Sequence, residues 1–276
     1  ASTPFDVYRP LPDHAEHASG QIWAAVGSSV RQALAGCGQD ASRVTALAFD
    51  ATCSLVLLDA DGAPVSVSST GDDLINVVMW ADHRATEEAR GLSATGHRVL
   101  DYVGGTMSPE MQLPKLLWLK RHLPQAWARY GMAMDLADFL VWKATDDITA
   151  SACTVTCKWT YLNHENTGWQ QDFLGAIGLA ELQQKLRLPA QALPVGGRAG
   201  NLSEATARDW GLKPGIAVAV SMIDAHAGAL GVLGATPEGE LDQRLALIAG
   251  TSNCHMALSA EQRTVKGIWG PYYGAL

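Results

Sequence analysis

The chain has 276 residues, 47% of them hydrophobic and 17% charged, with 28 acidic against 20 basic side chains and a formal net charge of −8. This excludes an intrinsically disordered chain and argues against nonspecific nucleic-acid binding or docking on an anionic membrane. The length allows one large domain or two moderate ones.

Residues 1–18 are polar and carry no clear element. From Ser19 a helix is predicted, because Ile22, Val26, Val30 and Leu34 recur every four residues until Gly36 and Gly38. The apolar run 44–52 reads as a buried strand. LVLLDADGAPVSV reads as two strands around a turn at Asp61–Gly62. Residues 82–91 are charged and read as a surface helix. Pro114 opens a further helix, where its missing N–H costs nothing. Another helix is predicted over about 135–145, a long loop over 159–171, and short helices near 172–186. Ser203 caps a helix that stops at Gly211. Residues 216–225 form the most strand-like segment of this half, followed by small residues suited to a helix packed closely on a sheet. Residues 235–244 read as a polar hinge, and 245–259 as a hairpin with Gly250–Thr251–Ser252 at its turn. This mixture implies an α/β protein with a mixed sheet.

The five cysteines are Cys37, Cys53, Cys153, Cys157 and Cys254. An odd count without a CxxC pair reads as reduced thiols in a cytoplasmic protein. The CxxxC spacing of Cys153 and Cys157 is a poor zinc signature, and no metal site is expected there. No run of 18 apolar residues occurs, so no membrane span is expected. The first residues lack the order of a signal peptide.

Four groups of residues can carry chemistry. Asp224 ends a predicted strand, where a carboxylate can accept a proton from an attacking hydroxyl or simply cap the next helix. Gly250–Thr251–Ser252 can expose backbone N–H groups to phosphate oxygens, or can be a plain hairpin turn. Trp80 and Asp82 can face a sugar, or can be a strand end and the start of a charged helix. Lys158 follows an apolar-hydroxyl run, although a surface lysine is its ordinary reading. Asp72–Asp73 and the pair His14 and His17 read as solvated surface residues.

In order along the chain, FDATCSLVLLD, MWADHRA, YVGGTMSPEMQLPKLLWLK, CKWTYL, PGIAVAVSMIDAHAGALGVLGA, GTSNCHM and GIWGPYYGAL together resemble the FGGY carbohydrate kinases, and most of all their D-ribulokinase branch. The resemblance covers residues 11–276. It implies the ribonuclease-H-like actin/Hsp70/hexokinase ATPase fold, mostly the first of two domains. Residues 1–236 would be the sugar-binding domain without its first hairpin, and 237–276 the start of the ATP-binding domain. It implies ATP and Mg²⁺ as cofactors and a ketopentose, D-ribulose first, as substrate. Ribitol, xylulose or L-ribulose are the alternatives, and so is a non-catalytic actin-like binding protein. By motif, Asp224 matches the catalytic base, and Lys158, Trp80, Asp82, Thr52 and Cys53 match the sugar side. Gly250, Thr251 and Ser252 match a phosphate-binding turn. The resemblance also implies that both ends of the enzyme lie outside this chain, so that the chain alone would be inactive. The partners expected are the sugar and ATP, with no nucleic acid and no membrane, and a homodimer contact is allowed near Trp269–Tyr273.

Overall fold

The computed structural model describes residues 1–235, 241–250 and 253–276. In chain order its first elements are β1 (Glu16–His17), α1 (Ser19–Gly36), β2 (Ala46–Leu47), β3 (Asp50–Ala51), β4 (Leu55–Leu58) and β5 (Val77–Val78). Then come α2 (Thr86–Ser93), α3 (Gln112–His122), α4 (Pro124–Arg129), β6 (Met132–Asp135), α5 (Leu136–Thr145) and α6 (Ala152–Lys158). They are followed by α7 (Gln171–Ala176), α8 (Leu182–Lys185), β7 (Arg198–Asn201), α9 (Glu204–Trp210), β8 (Ala217–Ala219) and β9 (Met222–Ile223). The last are α10 (Asp224–Gly234), β10 (Leu245–Ala249) and β11 (Asn253–Ala257).

An antiparallel sheet in the order β1-β5-β4-β6 forms the middle of the molecule. Every residue of β4 is buried, because the strand has a core on each face. The strand period of two sends Leu55 and Leu57 to the larger cluster with Leu113, Leu116, Trp159 and Phe173. Val56 and Leu58 go to the other cluster, against Phe139 and Leu140 of α5. The turn after β4 forms where expected. Asp59 Oδ1 accepts from the N–H groups of Asp61 and Ala63, each at 2.9 Å, and Gly62 has φ 86°.

The second sheet, β2-β8-β7, is mixed: β2 runs parallel to β8 and β7 antiparallel to it. Just beyond it, β3 runs parallel to β9, with Asp50 opposite Met222 and Ala51 opposite Ile223. The long buried strand predicted over 44–52 is therefore two strands of two residues each. Ala46, Ala48 and Asp50 are exposed, because alternate side chains leave opposite faces of a strand and it is Leu47 and Phe49 that pack on a core. Residues 216–225 break in the same place, into β8 and β9, and α10 begins at Asp224.

Helices α1, α3, α5 and α9 lie close to their predicted positions. Ser203 Oγ accepts from the Thr206 N–H, and Gly211 ends α9 in the left-handed region at φ 75°. Two expectations fail through burial. The charged run 82–91 is a surface helix only from Thr86, where Glu87 and Arg90 are exposed, since Asp82, Arg84 and Glu88 are buried. His14 and His17 are buried as well. The loop 159–171 is present, but Trp159, Tyr161, Leu162 and Trp169 turn into the core and anchor it. The polar stretch 235–244 includes residues 236–240, which lie outside the described residues. No helix among the described residues is long and apolar enough to cross a membrane.

Candidate active site

The parallel pair β3 and β9 ends at one edge, and the chain leaves each strand carrying a polar group. Thr52 and Cys53 follow β3, and Asp224 follows β9. The C-terminal edge of parallel strands is where α/β folds hold ligands, because there the strand ends and the helix N-termini turn their backbone groups outward. Asp224 is exposed and is the first residue of α10, with Ile223 in the cap position. Its carboxylate stands at the positive end of the helix dipole and accepts from the Ala225 N–H at 2.8 Å. Asp50 lies close enough for the two carboxylates to interact. Burial, and then the charge of Asp224, raise the Asp50 pKa.

Lys158 comes from the last turn of α6. It is only 7% exposed, so the ordinary reading of a surface lysine does not hold. Its ammonium lies 4.6 Å from the centre of the Trp269 ring. Burial lowers its pKa, but Cys53, Glu110 and Cys157 pull the other way, and the outcome is a pKa above the usual lysine value. Cys53, Cys153, Cys157, Met222 and Ile223 form the apolar floor of this region, and Trp80 packs against it. The Ile223 N–H donates to Cys153 Sγ at 3.4 Å, which joins the end of β9 to α6. Thr52, Cys53, Trp80, Lys158 and Asp224 thus come from distant parts of the chain to one place.

Asp82 does not face that place. Its side chain is fully buried, and four protein donors take its oxygens. Oδ1 accepts from the Arg84 N–H at 3.0 Å and Nε at 2.8 Å, while Oδ2 accepts from the Ala15 N–H and Arg84 Nη2, each at 2.7 Å. Arg84 also donates to Glu16 Oε1 and to the Val67 carbonyl, each at 2.7 Å, above the Trp118 ring. No acceptor lobe is left for a ligand. The residue holds the loop that presents Trp80.

Gly250 sits at the end of β10, whose hairpin with β11 pairs Ala249 with Asn253. Thr251 and Ser252 lie outside the described residues. The hairpin packs on α10 through a close approach at Gly228, where a Cβ would lie 3.2 Å from Ile248 Cδ1.

Reasoning from sequence missed the groups that hold these residues in place. Lys115 is wholly buried within α3. It donates to the carbonyls of Met79 at 2.9 Å and Trp80 at 3.4 Å, and burial lowers its pKa to about 8. Gln112 donates to the Cys53 carbonyl and to Asp135 Oδ1, each at 3.1 Å. Asp138 accepts from Ser151 N–H, Thr154 Oγ1 and Ser221 Oγ, tying α5 and α6 to the residue just before β9. A lysine inside an otherwise apolar helix face was the available signal for Lys115. A cavity of about 1000 Å³ lies elsewhere, between α1, the hairpin after β4 and Trp142, and is lined by none of the residues gathered around Asp224.

The model of the FGGY family of carbohydrate kinases, N-terminal domain, matches residues 1–231. The chain belongs to the FGGY family. It is 46% identical over 283 residues to an FGGY carbohydrate kinase domain-containing protein of Xenopus laevis, covering 98% of this chain and 50% of that protein. It is 36% identical over 289 residues to a D-ribulokinase of Saccharomyces cerevisiae, covering 94% of this chain and 40% of that protein. This FGGY chain therefore spans about half the length, or less, of these curated relatives. Among solved structures, the xylulose kinase from Rhodospirillum rubrum superposes with a TM-score of 0.78 at 19% identity, over 95% of this chain and 50% of that one. That likeness establishes the actin/hexokinase-like ATPase fold that the resemblance implied.

Proposed function

We propose that this FGGY chain supplies the sugar-side half of an ATP-dependent kinase acting on a ketopentose, with D-ribulose as the preferred substrate. The observation that carries the proposal is the meeting of β3 and β9, which brings Asp224 to the same strand edge as Thr52 and Cys53, with Lys158 beside them. Asp224 would orient a terminal hydroxyl and take its proton as the γ-phosphoryl group is transferred. Such a transfer asks mainly for positioning and charge stabilisation. Lys158, held between Cys53 and the Trp269 ring, would donate to sugar oxygens, and Trp80 would pack on the carbon chain. Asp82 keeps a structural role in this reading.

Gly250, Thr251 and Ser252 would cradle ATP phosphates through backbone N–H groups. Asp50 and Asp224 are hard oxygen donors of the kind Mg²⁺ takes, and the ion would offset phosphate charge. The division into a sugar-binding unit, 1–236, and the start of a nucleotide unit, 237–276, belongs to the same proposal. The name of the yeast relative supports D-ribulose as the first sugar to try.

The test uses the full-length kinase with D-ribulose, L-ribulose, xylulose and ribitol in an ADP-release assay, with calorimetry for binding. Asp224→Asn is expected to bind D-ribulose normally and to lose a factor of about 10² to 10⁴ in turnover. Lys158→Ala is expected mainly to weaken sugar binding. Near-wild-type turnover in D224N would overturn the role of Asp224. A preference for another sugar would change the substrate but leave the reaction.

A further inference from the structure

Cys153 and Cys157 stand one helical turn apart on α6, and both are buried. His226, in the first turn of α10, reaches them from 69 residues away. Its Nε2 lies 3.4 Å from Cys157 Sγ. The donor atoms of Cys153, Cys157 and His226 all lie within 4.8 Å of one another. We propose that Cys153, Cys157 and His226 form a three-ligand site for a borderline-soft divalent cation of the zinc class, clamping α6 to α10.

The distances fit this chemistry. Zn–S bonds of about 2.3 Å and Zn–N bonds of about 2.0 Å at a tetrahedral angle set the sulfur and nitrogen about 3.5 Å apart and the two sulfurs about 3.8 Å apart. The observed sulfur–nitrogen separation is already within a few tenths of an ångström. Two thiolates also balance a divalent charge, so the loaded cluster is neutral and suits an apolar floor. His226 Nδ1 is buried without a hydrogen-bond partner, so the ring's contact within the cluster is the one its Nε2 makes with a thiol. Three protein ligands leave a fourth position for water, the arrangement of an accessible zinc site rather than a closed structural one. The spacing along the chain gave no hint of this, because the third ligand arrives only when α10 folds against α6.

The site does not depend on the proposed sugar chemistry, and its test reads no turnover. Reduced, chelator-treated protein is titrated with Co²⁺ and followed by absorption, then challenged with Zn²⁺. The expected result is one equivalent of Co²⁺, a sulfur-to-cobalt charge-transfer band, tetrahedral visible bands, and displacement by Zn²⁺. Cys157→Ser and His226→Gln are expected to weaken Co²⁺ binding at least about 10-fold, the lower end of what even outer-shell changes cost. Cys53→Ser and Cys254→Ser are expected to leave it unchanged. Circular dichroism checks that each variant is folded, and H226Q decides the matter if C157S is not. Absence of the band in the wild type, its survival in H226Q, or its loss in C254S would overturn the site.

Discussion

Removing the Asp82 carboxylate tests whether this residue belongs to the sugar or to the fold. In Asp82→Ala the side chain of Arg84 stays fully buried and keeps Glu16 and the Val67 carbonyl as acceptors. It loses the acceptors of its Nε and of one Nη2 bond, and the Ala15 and Arg84 backbone N–H groups lose theirs. Glu16 still balances the Arg84 charge, so the cost is that of four buried donors losing their acceptor; at about 1 kcal/mol or more for each buried donor left unsatisfied, the total is about 3–5 kcal/mol. An unfolding entropy of about 2.1 cal/mol/K per residue gives roughly 0.6 kcal/mol/K for a chain of this length. The expected loss in Tm is then about 5–9 °C. Differential scanning calorimetry at neutral pH measures it, and Asp82→Asn, which keeps an acceptor, should lose less. A Tm within about 2 °C of wild type for D82A would refute the structural role. Lost D-ribulose affinity at an unchanged Tm would return Asp82 to the sugar site.

Three further outcomes are expected. Burial raises the carboxyl pKa of Asp135 to about 7 and of Asp138 to about 6, so between about pH 4 and 7 the folded chain holds protons that the unfolded chain has released. Stability from these groups therefore falls as pH rises through that window, by at most about 1.4 kcal/mol per pH unit per group. Lys115 works in the opposite sense: above about pH 8 the fold is relieved of a buried charge that the unfolded chain still carries, so stability rises again with pH. Urea melts from pH 5 to 10 should show a minimum contribution near pH 7–8, and Asp135→Asn should flatten the acid limb; an unchanged limb in that variant would exclude Asp135 as its source. Gly131→Ala puts a Cβ 2.5 Å from Ala60 N, against backbone that cannot step aside, and should cost about 1–3 kcal/mol in the same melts. Trp269→Leu removes the ring beneath the Lys158 ammonium and should weaken D-ribulose binding about 2–5-fold in calorimetry, with turnover preserved; unchanged affinity would mean that Lys158 needs no aromatic support.

The sequence by itself determined the features that depend on neighbours along the chain. The four-residue spacing from Ile22 to Leu34 was enough for α1, the Ser203 cap and Gly211 stop for α9, and Asp61–Gly62 for the turn after β4. Ordered blocks of residues were enough for the family, because each keeps its order whatever the fold does. What the tertiary structure alone decided is which polar groups are hidden and which meet. Arg84 looked like part of a surface helix until Glu16, 68 residues away, came to lie beside it. Lys158 looked solvated until Cys53 and Trp269 closed over it. Asp224 was only the end of a predicted strand until the pairing of β3 with β9 set it beside Asp50 and Thr52. Periodicity reports the burial of apolar faces, which is a local property. The burial of a charge depends on a partner supplied by another element, and a linear reading carries no record of that distance.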